Sequence, residues 1–268
     1  MCYFNWRLRL LARRVVELQI VETVGHETVR RTIKENGMTN RRIKYWAIPP
    51  QADAEFTASM EEVLDTYAQP YDAAKPALCM DEQPVRLLKE TRQPIPATAT
   101  HARRVEYEYE RAGTGTILMF TEPLAGWREV QARATKSKAD WAREMARLLD
   151  GRYADFPRVV LVCDNLNSHT KGAFYEAFDS QRARRLVGRL ELRHTPKHGS
   201  WLSTAENELS SLTRQCVVGR RFGAPEALRR EMAARSSDVN AQQKGVQWHM
   251  QTAGARTKPI SVYPKIAT

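Results

Sequence analysis

The sequence has few cysteines, and they form none of the patterns in which cysteine stabilises a fold. The four are Cys2, Cys79, Cys163 and Cys216 in a chain of 268 residues, and none forms a C-x-x-C pair. This spacing argues against a zinc site or a disulfide framework and is typical of proteins of the reducing cytosol.

Long apolar runs, repeats and low-complexity segments are also missing. No stretch approaches the roughly 18 consecutive apolar residues that a membrane-spanning helix needs. The first 14 residues interleave leucines with arginines and contain no small-residue cleavage site, so a signal peptide is not expected. We therefore expect a cytoplasmic protein that has no membrane partner.

Acidic residues are outnumbered by basic ones. The 42 lysines and arginines exceed the 31 acids and give a formal charge of +11. Such a surplus favours a polyanionic partner, most commonly nucleic acid, although a solvated basic surface explains the charge alone equally well. With 42% hydrophobic residues, the chain can also build a core, which excludes general disorder.

About half of this surplus lies in the first 50 residues, which contain ten basic and four acidic side chains. Leu11, Val15 and Leu18 lie on one face of a predicted helix, and Val29 and Ile33 give a second helix an inward stripe. A helix, a connection with glycine and a basic helix favour a helix-turn-helix, with an ordinary helical hairpin as the alternative. The candidate DNA-binding side chains here are Arg30, Arg31, Lys34, Arg41 and Arg42.

Pro49 and Pro50 interrupt the helical pattern, and the pattern of the sequence changes to strands from Ala77 onwards. A further helix is predicted over Ala54–Tyr67, inside the intervening linker. The predicted segments are a helix-turn-helix region (1–48), a linker (49–75), a catalytic domain (76–235) and a C-terminal tail (236–268).

The central segment has the pattern of an α/β domain with a mixed sheet. Three strands that could form an antiparallel meander come first, and strands and helices then alternate. Strands are predicted at Ala77–Met80, Val105–Glu110, Thr116–Phe120, Val159–Cys163 and Leu190–Arg193, and helices at 138–149, 171–178 and 203–216. The unbroken apolar run at Val159–Cys163 indicates a strand that is buried on both faces.

Three acids lie at positions where α/β folds commonly place functional sites. Asp81 and Asp164 each follow an apolar strand, and Glu206 lies in the first turn of a predicted helix. Carboxylates from separate elements suit a hard divalent cation, and two such ions about 4 Å apart can drive displacement at a phosphodiester. Any one of these acids taken alone would equally be a loop residue or a helix cap.

Several short motifs surround these acids in a fixed order between Leu10 and Pro264. They are Met80–Glu82, Glu90–Pro96, Tyr107–Arg111, Glu122–Arg128, Asp164–His169 and Thr195–Asn207. At these motifs the sequence resembles the mariner-like DDE transposases, in particular the bacterial insertion sequence 630 family. Each string is weakly specific, whereas the ordered set is highly specific.

The resemblance implies an RNase H-like core, which is a mixed five-stranded sheet with flanking helices, preceded by a helix-turn-helix region. It implies Mg²⁺ or Mn²⁺ as cofactor, and Asp81, Asp164 and Glu206 as the catalytic and metal-binding acids. It also implies cleavage at transposon ends and strand transfer into target DNA, with double-stranded DNA as the partner. The resemblance is compatible with a homodimer on that DNA and implies a nucleoid-associated protein of the bacterial cytoplasm. Glu208 is the rival third acid, but two residues along a helix is about 200°, so it should point away from Glu206.

The same motifs suggest supporting residues. Asn165 and His169 are candidates to orient a scissile phosphate or a metal-bound water, and Lys197 and His198 to contact DNA phosphates. The structural alternatives are that His169 caps a helix and that His198 stabilises a turn. Because family members usually carry more residues before the region that matches Trp6–Leu11, the resemblance also implies an N-terminally short chain.

Two other functions stay open from the sequence. A catalytically silent transposase remnant would keep the basic region and act as a DNA-binding repressor or competitor without metal. Another RNase H-like nuclease, such as a resolvase or a ribonuclease, would use the acids for hydrolysis without strand transfer.

Overall fold

The computed structural model describes residues 8–36, 53–242, 245–246, 248–257 and 263. Contacts divide the chain into two compact units at residue 46. No helix in these ranges combines the length and the apolarity that crossing a bilayer requires.

The described part of the smaller unit, residues 8–36, contains two helices, α1 (Leu8–Glu17) and α2 (His26–Glu35). They bury Ala12 and Val29, and their exposed faces carry ion pairs between neighbouring turns. The two helices predicted here are therefore confirmed, while their assignment as a DNA-binding helix-turn-helix stays a prediction.

The larger unit is an α/β structure. Its strands are β1 (Ala77–Glu90), β2 (Tyr109–Glu122), β3 (Trp127–Arg133), β4 (Val159–Cys163) and β5 (Leu190–His194). Its α-helices in the described ranges are α3 (Ala54–Ala68), α4 (Lys138–Asp150), α5 (Gly172–Ala177), α6 (Ser180–Arg189), α7 (Thr204–Leu212), α8 (Pro225–Ala241) and α9 (Thr252–Thr257). A 3₁₀ turn (Ser200–Leu202) precedes α7, and a π-helical stretch (Thr213–Val217) follows it.

The sheet order is β3-β2-β1-β4-β5. The first three strands along the chain form an antiparallel meander, and β4 and β5 run parallel to β1. An antiparallel meander extended by two parallel strands is the RNase H-like arrangement, so the predicted mixed five-stranded sheet with flanking helices is confirmed.

Both faces of the sheet are buried, and successive strand residues alternate between them. Leu78, Met80 and Leu161 pack with side chains of α4, α5 and α6 on one face, and Cys79 and Val162 pack with α3, α7 and α8 on the other. Burial on both sides explains why β4 is an unbroken apolar run.

Helix α3 falls within the segment predicted to be a linker, yet it packs as core. Met60, Val63 and Leu64 are fully buried, and Tyr67 donates a hydrogen bond to the carbonyl of Leu202 at 3.0 Å. Ala255 of α9 joins the same cluster, so part of the predicted tail packs there too. These elements brace α7, which begins two residues after Leu202.

Two strand predictions are wrong. The first strand does not end before Asp81 but continues to Glu90 through Pro84, because it stays paired with β2 from Cys79 to Glu90. Beyond Cys79 the edge of β1 that faces away from β2 no longer pairs with β4, and a residue without an N–H donor is tolerated at such an edge. The predicted strand Val105–Glu110 is also absent, since only its last two residues belong to β2 and Tyr107 is 91% exposed. The third strand of the meander is instead β3.

Candidate active site

The pairing of β1 with β4 sets the positions of the first two acids. Ala77, Leu78 and Cys79 pair in parallel with Val160, Leu161 and Val162, in that order. The same offset, carried two residues further, sets Asp81 opposite Asp164 at the point where the strands part. Adjacent strands lie about 4.8 Å apart, so the two acids leave neighbouring backbones at the same level.

The alternation of side chains sends both acids towards α7. Asp81 and Asp164 each stand two residues beyond Cys79 and Val162, whose side chains pack on the face that α7 covers. Because residues i and i+2 of a strand share a face, the acids belong to that face as well.

Helix α7 reaches this face through a tight turn. The N–H of Gly199 donates to the carbonyl of Pro196 at 2.8 Å, and a Cβ at Gly199 would lie only 2.5 Å from Pro196 Cγ. His198 has φ +65°, a left-handed conformation that few residues other than glycine adopt. Ser203 occupies the N-cap position of α7 and makes no side-chain hydrogen bond to the helix.

The two acids of α7 face different surroundings. Glu206 lines a cleft of about 480 Å³ together with Asp81, Gln83 and Ser200. Glu208 instead accepts a hydrogen bond from the buried guanidinium of Arg128 at 2.9 Å. The orientation agrees with the helical phase, which leaves Glu206 as the member of the pair that faces Asp81.

The acids of the site repel one another. Burial, together with the carboxylates of Asp164, Glu206 and Glu82, raises the pKa of Asp81 from 3.8 to about 6. The backbone N–H of Glu82, which donates to Asp81 Oδ1 at 2.7 Å, opposes this rise only in part. A cation between these groups would relieve the repulsion.

His169 links Asp164 to a second buried carboxylate. Its side chain is fully buried, with Nδ1 2.6 Å from Asp164 Oδ1 and Nε2 3.8 Å from Glu82 Oε1. The Nδ1 hydrogen bond is directed at the backbone carbonyl of Asp164, 3.4 Å away, so the shorter distance is an electrostatic contact. The ring lies 5.5 Å from that of Trp141, and Lys136 Nζ holds Glu82 Oε1 at 2.5 Å.

The other predicted site residues are placed more loosely. Asn165, Lys197 and His198 are exposed on the loops that follow β4 and β5. In the smaller unit, Arg30 pairs with Glu27, Arg31 lies 3.9 Å from Glu35, and Lys34 is exposed. Arg41 and Arg42 lie outside the described residues.

Oxygen donors suited to a hard cation are present at the cleft. Over the residues that the structure covers, no three Asp, Glu, His or Cys side chains stand close enough together to coordinate one ion. However, Glu206 Oε2 and Asp164 Oδ1 are buried and have no hydrogen-bond partner in those ranges. An unpaired buried carboxylate oxygen is costly, and these oxygens and the Asp81 carboxylate are donors of the kind that Mg²⁺ or Mn²⁺ prefers.

Two contacts, one to Asp164 and one to Glu82, are not predicted by any pattern in the sequence. His194, at the end of β5, places Nδ1 3.3 Å from the carbonyl of Asp164. Lys136 lies in the loop before α4 and reaches Glu82 on β1. Both contacts arise from sheet packing between segments distant in sequence, and only the DNLNSH string hinted that a histidine lies near Asp164.

Comparison with known proteins gives a family and several structural likenesses. Residues 76–229 match the family described as DDE superfamily endonuclease. No curated protein matches the chain.

Solved structures that resemble the chain include the Mos1 mariner paired end complex with Mn, at TM-score 0.49 and 14% identity over 90% of this chain and 72% of that one. The Mos1 strand transfer complex resembles it at TM-score 0.47 and 12% identity, covering 91% and 80% of the two chains. The catalytic domain of Mos1 mariner transposase does so at 0.44 and 12%, covering 75% and 99%. Likenesses at this level do not identify an activity for the chain.

Proposed function

This chain belongs to the DDE superfamily endonuclease family, and we propose that it is a DNA transposase of the mariner-like type, specifically of the insertion sequence 630 family. The observation that carries the proposal is the register of β1 and β4, which sets Asp81 beside Asp164 on the face covered by α7. Glu206 completes the set from α7. The proposed reaction is cleavage at transposon ends followed by strand transfer into target DNA.

In this proposal Asp81, Asp164 and Glu206 hold Mg²⁺ or Mn²⁺. When bound, the ions supply activation of a water or a 3′-hydroxyl and stabilisation of the leaving oxygen of the phosphodiester. Burial and the repulsion of the neighbouring carboxylates together raise the pKa of Asp81, and this is the electrostatic cost of keeping these carboxylates ready for cations.

His169 acts as a positioning residue. Packing against Trp141 fixes the plane of its ring, and its Nδ1 contacts both Oδ1 and the carbonyl of Asp164. Glu82, held by Lys136, faces the other ring nitrogen, with Oε1 3.8 Å from Nε2. The ring therefore keeps the Asp164 carboxylate in one orientation, as partners of metal ligands do elsewhere.

DNA binding is proposed for several exposed groups. Lys197 and His198 follow β5 near the carboxyl end of the sheet, where they would contact backbone phosphates, and Asn165 follows Asp164 directly. In the smaller unit the exposed basic face of α2, with Arg30, Arg31 and Lys34, would engage the transposon end. A chromosomal substrate places the protein at the nucleoid of a bacterial cytoplasm, with a homodimer as one assembly on the DNA.

A product analysis separates this function from another RNase H-like nuclease. A pre-cut duplex with a free 3′-hydroxyl is incubated with the protein, Mn²⁺ and a target plasmid, and the junctions are sequenced. Joined products support the transposase. Hydrolysis products alone would favour a nuclease, and DNA binding without any cleavage would favour a catalytically silent remnant.

A further inference from the structure

A second cleft, of about 500 Å³, follows the edge strand β5 and is strongly basic. We call it the β5 cleft. Its charged lining consists of Lys75, Arg158, Lys171, Arg184 and Arg189 against the single acid Glu191. These side chains come from the segments before β1 and β4, the loop after β4, and helix α6.

The one acid of the β5 cleft is already paired. Lys75 Nζ lies 2.7 Å from Glu191 Oε2, and Arg193 also forms an ion pair with Glu191. The pKa of Glu191 is lowered first by its hydrogen bond with Lys75 and further by the charges of Arg193 and Arg158. Glu191 therefore neutralises little of the remaining charge.

Three of the cations have no carboxylate of their own. Arg158, Lys171 and Arg184 are exposed, and in the described ranges none lies within ion-pair distance of an acid. Arg189 donates to the carbonyls of Leu149 and Phe156, which fixes its position but leaves its charge uncancelled. Helix α6 as a whole contains four arginines and no acid.

Like charges held together in a concave surface repel one another, and the protein gains nothing from this arrangement by itself. A concave surface also raises the local concentration of ligands of opposite charge. The five residues of β5 span about 16 Å, a length over which duplex DNA presents about ten phosphate charges. A row of separated cations along such a length fits a polyanionic backbone better than a single small anion.

The β5 cleft follows β5, the strand that pairs with β4, and β4 leads into Asp164. Lys171 follows Asp164 by seven residues, and the last residue of β5, His194, pairs with Cys163 immediately before Asp164. Lys75 and Arg158 stand at the opposite ends of the neighbouring strands. The basic row therefore leads from the amino ends of β1 and β4 towards the edge that carries the acids.

We infer that the β5 cleft is a binding surface for the phosphate backbone of duplex DNA, distinct from the acids and from the smaller unit. The inference rests on the proposed function in one respect, because it takes the DNA held there to be the duplex that is cut. Contacts of this kind position the duplex without reading its sequence.

The test measures binding of the full-length protein to a labelled duplex of arbitrary sequence by fluorescence anisotropy, with EDTA present and over a range of salt concentrations. Each phosphate contact contributes about 0.9 to the slope of log K against log salt. The variant with Arg158→Gln, Lys171→Gln and Arg184→Gln should lose about 2–3 in slope and bind at least about 10-fold more weakly at 0.1 M salt. All three side chains are exposed, so the melting temperature should stay unchanged.

A matched pair of single variants controls for net charge. Arg184→Gln on α6, beside β5, should lower the slope by about 0.9, whereas Arg230→Gln on α8, beside β3 at the other edge of the sheet, should leave it unchanged. Equal losses from both variants would overturn the inference and indicate an unspecific effect of charge. Binding of poly-glutamate as tight as that of the duplex would also overturn it, in favour of an acidic protein partner.

The outcomes separate this inference from the proposed function. If wild-type protein cuts DNA with Mn²⁺ and the triple variant binds and cuts equally well, the β5 cleft assignment fails and the nuclease stands. If no cutting occurs but the triple variant loses affinity, the cleft stands and the proposed catalysis fails.

Discussion

At the residue scale, His169 makes polar contacts that packing of an aromatic ring alone does not require. A fully buried imidazole lies between the carboxylates of Asp164 and Glu82, and its ring rests on Trp141. Replacing it with phenylalanine would keep an aromatic ring in the core and remove both nitrogens. The substitution thus separates packing from the orientation of Asp164.

We expect His169→Phe to fold and to lower metal-dependent DNA nicking by about 10–100-fold, the range typical for partners of metal ligands. Mn²⁺ affinity, measured by calorimetry, should fall with it. Phe174→Leu is the control, because Phe174 packs edge-on against Trp141 at 5.4 Å and its side chain has no polar atom that could orient Asp164. Equal losses in both variants would show that His169 serves packing only.

The raised pKa of Asp81 predicts the direction in which the free energy of unfolding changes with pH. In the folded protein it keeps its proton up to about pH 6, whereas the unfolded chain loses it near pH 3.8. Between these values the folded state binds more protons, so the free energy of unfolding falls as pH rises and stays lowered above pH 6. Below about pH 4 both states are protonated and the effect vanishes.

The expected result is that Asp81→Asn raises the free energy of unfolding of the metal-free protein by about 2–3 kcal/mol at pH 7 and by only about 0.5 kcal/mol at pH 4. Urea denaturation at the two pH values measures the difference. A gain of equal size at both values would mean that neither burial nor the neighbouring carboxylates raise the pKa of Asp81.

The positions of the three acids can be predicted from the sequence, whereas the contacts around them cannot. Asp81 and Asp164 follow apolar strand residues, and Glu206 follows a turn with proline and glycine, so local patterns indicate all three. The contacts of Lys136 with Glu82 and of His194 with Asp164 depend on the register of separate strands and loops. No local pattern contains that information.

At the element scale, the two acids of α7 have different roles: Glu208 anchors the helix to the sheet, and Glu206 faces the cleft. Glu208 forms a buried pair with Arg128 of β3, and their side chains are 15% and 5% exposed. Glu206 points into the cleft. The two roles predict different consequences for two substitutions that lie only two residues apart.

Glu208→Leu should lower the free energy of unfolding by about 3–5 kcal/mol, because it removes the carboxylate with which the buried Arg128 guanidinium forms an ion pair. The fraction that remains folded should still nick DNA at the wild-type rate. The double variant Arg128→Met with Glu208→Leu should recover most of the stability. Loss of nicking at unchanged stability would instead make Glu208 the third catalytic acid.

The strands that the sequence predicts well are those whose burial is uniform. The Val159–Cys163 strand is correct at both ends because both of its faces are covered. The sequence does not predict the strand Trp127–Arg133, because its charged residues obscure the alternation of buried and exposed side chains. It predicts a strand at Val105–Glu110 because apolar and charged residues alternate there, although the segment is not buried. Helix α6 was missed because its four arginines leave only Ala183 and Leu186 as an apolar stripe.

At the scale of the whole molecule, the two compact units are proposed to do separate work. The smaller unit would bind the transposon end and the larger unit would cut it. Because binding and chemistry are then carried by different residues, substitutions in α2 should change affinity and leave the rate at saturating DNA intact.

We expect the double variant Arg31→Gln and Lys34→Gln to weaken duplex binding by about 10-fold at 0.1 M salt, since two phosphate contacts are lost. The cleavage rate with Mn²⁺ and saturating DNA should match that of wild type. Unchanged affinity would show that α2 does not contact DNA, and a lower saturated rate would show that the two activities are not separate.

The central claim is that the acids set together by β1, β4 and α7 cut DNA with a divalent metal, and nicking of a supercoiled plasmid tests it most directly. Wild-type protein should nick with Mg²⁺ or Mn²⁺ and not with EDTA. Asp164→Asn should reduce nicking to the EDTA level, while Asp155→Asn, an exposed aspartate before the same strand, should nick as wild type does. Metal-dependent nicking that survives Asp164→Asn, or its absence in wild type with either metal, would contradict the claim.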